Sequence, residues 1–406
     1  MSDNRIHIAL VTAWFPPRKS VAVNRMLAFV NYISKERFKI TVITLNEGNS
    51  PAHETNQTGD IYREQDEQII PFLKNKQGEN KLLHLSKVVW NVLLLKVLQY
   101  PHKAWMKRVE KRLEFVHSKN PIDLIISSFS PIEAHLATYN FLQNHKSIAW
   151  VADMRDEMST NGQINNQTRK LLQKAEIKIN SRAQAITTVS SPILNDMRRI
   201  MTQVQEFAEI RNGFDNDLKP DRNHNSVFTI IYAGTFYGPR KPHTFFEGLR
   251  IFLSTHTVEF KIQFLGTHHN FSIPKEFENK CEFIPPVDNN KALEYISKAD
   301  ASLLILNEIN RVGVYSGKIF DYISVQKPII SVLNPNDVAA DLIREQNAGY
   351  IADFNQPNEI ARSIEFAWKI WNDKSYLPVD EAKVKTLHRK YQVKILEDLI
   401  LKIVSK

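Results

Sequence analysis

Residues 313–332, GVYSGKIFDYISVQKPIISV, combine residue types that suit the binding of an anion. Gly313 and Gly317 allow the backbone to come close to a ligand, and Lys318 places a positive charge at the start of a predicted helix. The first N–H groups of a helix lack partners and carry a partial positive charge, so they attract anions. Asp321 follows one turn later. An ordinary loop–helix–strand connection has a similar composition, so the rest of the chain must decide between the two interpretations.

The elements that would position this stretch form two alternating α/β series. Apolar runs predict buried parallel strands in the first series at 6–14, 39–45, 122–128, 146–153 and 185–191. Helical spacing predicts helices at 21–35, 131–144, 166–182 and 192–201. Residues 46–80 are polar and weakly periodic, which predicts a long loop. The second series has predicted strands at 228–234, 260–266, 281–287, 301–307 and 328–333.

Two such series predict an α/β protein with two doubly wound, Rossmann-like domains that face each other across a cleft. We assign residues 1–211 to an N-terminal domain, 212–225 to a polar linker and 226–380 to a C-terminal domain. Residues 381–406 form a basic helical tail, expected to pack back on the N-terminal domain. Ligands of open α/β sheets bind beyond the carboxyl ends of the strands. The segments expected there are 12–20, 234–241, 266–270 and 313–318.

Composition restricts the class of protein. The chain has 406 residues and a net charge of +9, and its single cysteine, Cys281, excludes an intrachain disulfide, which fits a reducing compartment. No run of about 18 apolar residues indicates a transmembrane helix, and the N-terminal RIHIALVTAW is typical of a strand rather than a signal peptide. We therefore expect a cytoplasmic protein. His268 and His269 lack further ligands at suitable spacing, so no metal site is predicted.

The positive charge is concentrated in residues 81–120, which hold nine Lys or Arg against two Glu. Residues 81–112 fit basic helices that carry Trp105 and lie on an anionic membrane surface at the inner face of the plasma membrane. The alternative is a pair of core-packed helices with solvated lysines. Nucleic-acid binding is disfavoured because no recognition motif is present.

Several segments, in order, resemble those of GT-B glycosyltransferases, most closely the retaining, nucleotide-sugar-dependent enzymes of family 4. VTAWFPP resembles the family's first strand and loop, and WVADMRDEMS resembles its aspartate-rich strand motif. ITTVSSPILNDM, followed by RNGFD, is similar to the passage that leads into the second domain. YAGTFYGPRKPHTFFEGL and SGKIFDYISVQKPII resemble the donor-domain opening and the donor loop.

The resemblance implies a donor site in the second domain. Arg240 and Lys241 would neutralise the donor diphosphate, which would make a divalent metal or other cofactor unnecessary. Asp321 would accept hydrogen bonds from the ribose hydroxyls. The other residues implied are Gly234, Gly266, Gly313, Val314, Tyr315, Ser316, Gly317 and Lys318. The alternatives are that Lys241 is a solvated lysine beside a turn and that Asp321 faces solvent.

This chain departs from the family pattern at several positions. The family often has a glutamate where Gly313 stands, a second glutamate at Asp321 and an arginine at Thr235. Glycines near position 20 are replaced by Ser20 and Val21. The histidine that many members place after the strand at 122–128 is missing, and residues 128–130 stand there.

Candidates for acceptor chemistry lie in the first domain. Asp153 or Asp156 could orient or deprotonate an acceptor hydroxyl, although an internal Asp–Arg ion pair involving Arg155 fits the sequence equally well. His135 is a further catalytic candidate, with a structural histidine as the alternative. Asn212 and Gly213 would shape a hinge near the sugar or form a plain turn.

These observations lead to a functional expectation with alternatives. We expect a retaining hexosyltransferase that moves a sugar from a UDP- or GDP-sugar to a glycan or lipid-linked glycan in surface polysaccharide biosynthesis. In a retaining same-face transfer the departing phosphate can take the acceptor proton, so no strong enzymic base is required. A non-catalytic nucleotide-sugar-binding partner of a transferase and a GT-B sugar-nucleotide epimerase are the alternatives.

Overall fold

The computed structural model describes most of the chain and divides it into two compact units. The described residues are 4–48, 50–57, 59–66, 80, 86–87, 102–217, 220–236, 241–267, 271–306 and 313–405. The first unit comprises Met1–Ile210 together with Val393–Lys406, and the second comprises Arg211–Gln392. The chain therefore returns to the first unit within its last helix, and residues 381–392 of the predicted tail belong to the second unit.

The first unit contains an eight-stranded sheet. In chain order its strands are β1 (Ile6–Thr12), β2 (Phe38–Leu45), β3 (His53–Asn56), β4 (Gly59–Glu64), β5 (Leu124–Phe129), β6 (Ala149–Met154), β7 (Ala185–Thr188) and β8 (Glu206–Glu209). Across the sheet the order is β3-β4-β2-β1-β5-β6-β7-β8. All neighbours are parallel except β3 and β4. The chain reverses its direction of travel across the sheet between β1 and β5, which makes the ends of these two strands a switch point.

Two of the helices described in the first unit begin at a side-chain cap. The helices described there are α1 (Val21–Tyr32), α2 (Lys103–Lys119), α3 (Glu133–Leu142), α4 (Asn166–Asn180) and α5 (Ser191–Ile200). Ser20, which stands where the family resemblance would place a glycine, caps α1 by accepting from the N–H of Val23 at 3.2 Å. Asn165 caps α4 in the same way through the N–H of Thr168, at 2.8 Å.

The second unit contains a six-stranded, wholly parallel sheet. Its strands are β9 (Phe228–Ala233), β10 (Phe260–Leu265), β11 (Cys281–Ile284), β12 (Ala301–Leu306), β13 (Ile329–Leu333) and β14 (Gly349–Tyr350), in the order β11-β10-β9-β12-β13-β14. Its helices are α6 (His243–Leu253), a 3₁₀ turn (Lys275–Lys280), α7 (Asn289–Lys298), α8 (Gly317–Ser324), α9 (Val338–Glu345), α10 (Pro357–Asn372) and α11 (Glu381–Thr386). The last helix, α12 (Arg389–Val404), begins in this unit.

Alternate side chains of the second sheet enter two separate hydrophobic cores. On β9, Ile231 packs into one core, whereas Ile230 and Tyr232 pack into the other. This alternation is the period-two pattern of a strand with both faces buried. Helices therefore cover both faces of the second sheet, as a doubly wound domain requires. The prediction of two parallel-sheet Rossmann-like domains is confirmed.

The predicted long loop at 46–80 is wrong for part of its length. Residues 53–56 and 59–64 form the β3–β4 hairpin, and β4 extends the sheet as a parallel neighbour of β2. The side chains of β3 are largely exposed, so this strand has no apolar run to reveal it. The described residues contain no helix that is long and apolar enough to cross a membrane.

Candidate functional site

The second sheet has its switch point between β9 and β12, which are neighbours from which the chain winds in opposite directions. Ligands of doubly wound sheets bind at such a point, beyond the carboxyl ends of the strands. Residues 234–236 follow β9, and residues 313–316 lead into α8. Arg240, His268 and His269 lie outside the described residues.

Lys318 is held at the end of β9 by an unusually close approach. Its Nζ donates a hydrogen bond to the Tyr232 hydroxyl at 2.6 Å and lies 3.9 Å from the centroid of the Tyr232 ring. Gly234 has φ +100°, and a Cβ atom there would lie 2.9 Å from Cε of Lys318. Only glycine therefore allows the lysine to take this position without displacement. The sequence assigned Lys318 to the start of α8 but could not foresee its pairing with Tyr232.

The residues that lead into α8 differ in the contacts that they make. The N–H of Gly313 donates to Oδ1 of Asp337 at 2.9 Å, and the same oxygen caps α9. Tyr315 is buried and meets Phe320 edge to face, with ring centroids 5.3 Å apart. Ser316 is the N-cap of α8, but its hydroxyl makes no capping hydrogen bond.

Among the described residues, the start of α8 is therefore not capped by the Ser316 side chain. Val314, Ser316, Gly317 and Lys318 are only partly buried, and they surround this helix start. A helix start carries a partial positive charge, and with a lysine beside it this region favours negative charge.

Asp321 lies three residues after Lys318 on α8, which places both side chains on the same side of the helix. Within the described ranges no hydrogen bond or ion pair engages its partly buried carboxylate. Burial raises the pKa of Asp321 to about 6, while Arg389 partly opposes that shift and Asp215 reinforces it. The carboxylate is therefore neither simply solvated, as the alternative interpretation required, nor satisfied by the protein.

Loops after β9 and β10 are joined beside this site. The Thr267 hydroxyl donates to the Gly234 carbonyl at 2.6 Å, and the N–H of Gly266 donates to the Ile284 carbonyl at 2.8 Å. Lys241 is partly buried and precedes α6. The predicted residues Gly234, Gly266 and Lys241 thus all follow carboxyl ends of β9 or β10.

Asn212 and Gly213 form a fixed connection rather than an isolated turn. Gly213 has φ +61°, and a Cβ there would lie 2.3 Å from the Leu387 carbonyl oxygen. Arg389 donates through Nε to the Asn212 carbonyl at 2.7 Å and forms an ion pair with Asp215. All these residues belong to the second unit.

Asp153, a predicted catalytic residue of the first unit, is completely buried in a structural ion pair. Nη2 of Arg25 lies 2.7 Å from its carboxylate, and both side chains are at most 1% exposed. Hydroxyls of Ser128 and Thr187 each donate to the same carboxylate at 2.8 Å. Burial raises the pKa of Asp153, but the Arg25 charge and the hydrogen bonds outweigh burial and leave the pKa lowered. The expected ion pair exists, but its arginine is Arg25 from α1 rather than Arg155.

His135 is also enclosed within the first unit. Its Nδ1 lies 2.6 Å from the Ser127 hydroxyl, which also accepts from the Trp150 indole at 2.7 Å. Burial lowers the pKa of His135 to about 3, so the ring is neutral at physiological pH. These contacts favour the structural interpretation of His135. The partly buried Asp156 remains the predicted acceptor-side carboxylate that is not enclosed in the core.

The basic segment is only partly described, because residues 81–85 and 88–101 lie outside the described ranges. Trp105 is a fully buried residue of α2, so it cannot anchor that helix in a lipid surface. Lys103, Lys107 and Lys111 are exposed at four-residue spacing and therefore form one stripe along the helix. The aromatic part of the membrane prediction thus fails for Trp105, while the lysine stripe remains.

Comparison by sequence identifies no relatives: no protein-family model matches the chain, and no curated protein matches it. Comparison by structure does. Sucrose-phosphate synthase from Thermosynechococcus elongatus superposes with a TM-score of 0.64 at 14% identity, covering 99% of this chain and 100% of that one. Anabaena HepE in complex with UDP-glucose gives 0.61 at 12% identity, with 99% and 100% coverage.

The apo form of the lipopolysaccharide outer core galactosyltransferase WaaB gives a TM-score of 0.57 at 11% identity, covering 98% of this chain and 99% of that one. This chain has the GT-B fold. Because the neighbours cover nearly the whole chain, the GT-B assignment extends to both units. At these identities the likeness establishes the fold and leaves the activity to be argued from the site.

Proposed function

We propose that this GT-B protein is a glycosyltransferase that binds a nucleoside-diphosphate sugar on its second unit. The observation that carries the proposal is the arrangement at the switch point of the second sheet. There the Lys318 ammonium lies close to Gly234 at the start of α8, where the Ser316 hydroxyl makes no capping hydrogen bond, and the Asp321 carboxylate follows three residues further along the helix.

Each part of this arrangement suits one part of such a donor. The lysine and the helix start would stabilise the negative charge that builds on a diphosphate as the glycosidic bond breaks. An ionised carboxylate only accepts hydrogen bonds, so Asp321 suits the two hydroxyls of a ribose. HepE, one of the similar structures, is described in complex with UDP-glucose, which supports a UDP-sugar as the first donor to test.

The proposed transfer is retaining. The bond between the anomeric carbon and the diphosphate oxygen breaks, the acceptor oxygen bonds to the same face of that carbon, and the acceptor proton passes to the departing phosphate. Asp153 and His135 are buried and so are poorly placed to act as a base. Their burial supports the retaining route, because that route needs no strong enzymic base. Lys318 and Lys241 would neutralise the negative charge of the diphosphate, which in other enzymes a divalent metal neutralises. We therefore expect activity to persist in the presence of a chelator.

We further propose that the acceptor is a glycan or a lipid-linked glycan of a surface polysaccharide. The protein would act on it as a hexosyltransferase at the inner face of the plasma membrane. The exposed stripe of Lys103, Lys107 and Lys111 supports attraction to anionic lipid. WaaB, which is named as a lipopolysaccharide galactosyltransferase, supports a lipid-linked acceptor as a reasonable first class.

One observation favours a second candidate, a non-catalytic nucleotide-sugar-binding partner. Two of the three predicted catalytic residues are enclosed in the core of the first unit, so the sequence-predicted acceptor chemistry rests on Asp156 alone.

An assay of nucleotide release separates the candidates. The full chain is incubated with UDP- and GDP-sugars, with and without glycan and lipid-linked acceptors, while released nucleotide and sugar configuration are followed. A transferase releases nucleoside diphosphate in an acceptor-dependent manner, whereas a binding partner shows donor-induced thermal stabilisation without release. Interconversion of the sugar would instead indicate an epimerase, and neither binding nor turnover would contradict the proposal.

A further inference from the structure

Loops from three neighbouring strands meet around Trp14 in the first unit, at the switch point of its sheet. Trp14 follows β1, and its indole N–H donates to the carbonyl of Ser130, which follows β5, at 2.5 Å. Arg155 follows β6, and its Nε donates to the carbonyl of Phe129 at 2.5 Å. The carboxyl ends of β1, β5 and β6 are therefore joined by these two side chains.

Arg155 differs from Arg25 in that the described residues provide it with no carboxylate partner. Asp153, two residues before Arg155, is fully engaged by Arg25 and two hydroxyls. Among the residues that the structure describes, Arg155 makes one hydrogen bond, through Nε to the Phe129 carbonyl, and forms no ion pair. Its two terminal nitrogens are left without a protein acceptor there.

The surroundings of Arg155 do not remove its charge. Its side chain is partly buried, and burial lowers the pKa of the guanidinium, while Asp156 and Asp153 act in the opposite direction. An arginine stays protonated in proteins, so the group remains a cation. Arg25 adds a like charge nearby, although that charge is balanced by Asp153.

A second guanidinium lies beside the same indole. The guanidinium carbon of Arg18 is 4.7 Å from the centroid of the Trp14 ring, and that of Arg155 is 5.9 Å from it. Arg18 is paired with Glu47. Trp14 thus lies close to two arginines, of which Arg18 forms an ion pair and Arg155 forms none within the described residues.

A partly buried cation without a counterion is unfavourable unless a ligand supplies the opposite charge. Guanidinium groups bind phosphates and carboxylates through paired N–H donors, and Arg155 offers such donors at the carboxyl end of its sheet. We propose that the acceptor of the transfer carries an anionic group, a phosphate or a carboxylate, which binds Arg155 beside Trp14. This inference rests on the proposed glycosyltransferase function and specifies its acceptor as acidic.

The test is a comparison of matched neutral and acidic probes by ligand-detected NMR on the full chain, with saturating UDP present to occupy a donor site. For glucose and for galactose the probes are the methyl glycoside, the uronic acid and the sugar 1-phosphate. The wild type should bind at least one acidic form about tenfold more tightly than the neutral form. Preference for the phosphate alone, or for both acids, would distinguish a phosphate-linked acceptor from a uronic-acid-containing glycan.

Variants assign the preference to Arg155. Arg155→Gln should abolish it, and Arg155→Lys, which keeps the charge, should retain part of it and should also show that the site still folds. Arg198→Gln removes an exposed arginine of the same unit and should leave the preference unchanged. Equal binding of neutral and acidic probes, no binding of either acid at millimolar concentration, or a preference that survives in Arg155→Gln would overturn the proposal.

The failure of this inference can be told from failure of the proposed function by repeating the titrations without UDP and by titrating UDP and GDP alone. If neither nucleotide binds the wild type, the proposed function fails while the acid preference is still measured. If a nucleotide binds but the acid preference is absent, only the acidic acceptor is overturned.

Discussion

Arg25 and Asp153 form a buried ion pair in the first unit, with Nη2 and Oδ1 2.7 Å apart and both side chains at most 1% exposed. Arg25 also donates to the carbonyl of Ile210 at 2.5 Å. The pair therefore connects α1 and β6 with Ile210, where the first segment of this unit ends. Asp153, which the sequence suggested as a catalytic group, is a stabilising element in this arrangement.

Asp153→Asn should lower the free energy of unfolding by about 3–5 kcal/mol, because it leaves Arg25 buried without a counterion. The measurement is urea unfolding followed by circular dichroism. Asp196→Asn, which breaks the exposed pair with Arg199, is the matched control and should change stability by less than about 1 kcal/mol. Equal effects of the two substitutions would contradict the structural role of Asp153.

The same pair predicts an acid dependence. The pKa of Asp153 is lowered in the fold, so its stabilisation is present above the unfolded value of about 3.9 and is lost as the pH falls through the folded value. Wild-type stability should therefore decline in acid more steeply than that of Asp153→Asn. Parallel pH profiles for the two proteins would show that the pair does not contribute in this way.

Asp321→Asn should stabilise the protein at pH 7–8 while weakening donor binding. The pKa of Asp321 is raised to about 6, so its favourable contribution is present below the unfolded value of about 3.9 and is lost as the pH rises through about 6. The gain should be about 1–2 kcal/mol, below the value for the full shift, because the side chain is partly exposed.

Thermal unfolding between pH 4 and 8 measures this gain, and it should vanish near pH 4. Asp341→Asn, at an exposed carboxylate of α9, should show no comparable pH-dependent gain. An Asp321→Asn protein that is less stable than the wild type at pH 8 would contradict the assigned environment of Asp321.

Gly234→Ala should weaken donor binding by about tenfold, because its Cβ would meet Cε of Lys318 at 2.9 Å and displace the lysine from Tyr232. Calorimetric titration with UDP measures the affinity. Gly48→Ala also introduces a side chain at positive φ, but in open space within the first unit, and should cost stability without changing affinity. If both variants bind UDP like the wild type, Lys318 does not act where we place it.

Replacing Lys103, Lys107 and Lys111 together with glutamine should weaken binding to vesicles containing anionic lipid by about tenfold or more, since each lysine near such a surface contributes about 1 kcal/mol. Co-sedimentation with neutral and anionic vesicles measures the effect. The control replaces Lys170, Lys174 and Lys275, which are exposed elsewhere, and removes the same charge. Indifference of the wild type to anionic lipid, or equal losses in both variants, would contradict a role for this stripe.

The fold was largely predictable because its central strands are continuous apolar runs. The predicted strands at 39–45 and 260–266 differ from β2 and β10 by a residue at one end. The β3–β4 hairpin escaped prediction because His53–Asn56 is polar and largely exposed. Its assignment depends on pairing with β4, which no local pattern encodes.

The site was predictable only where the chemistry is local. Ser316, Gly317, Lys318 and Asp321 are consecutive or nearly so, and they do surround one helix start. The pairs that decide what each charge does are distant in sequence: 128 residues separate Arg25 from Asp153, and 86 separate Tyr232 from Lys318. The sequence therefore could not tell that Asp153 is satisfied internally or that Arg155 is not.

The central claim is that the second unit binds a nucleoside-diphosphate sugar through the switch-point site. The most direct test is calorimetric titration of the full chain with a panel of UDP- and GDP-sugars, using the wild type, Lys241→Ala, Asp321→Ala and the exposed-lysine control Lys275→Ala. We predict that at least one nucleotide sugar binds the wild type and the control alike, and that both site variants bind it about tenfold or more weakly. Absence of binding by every nucleotide sugar, or unchanged affinity in both site variants, would contradict the claim.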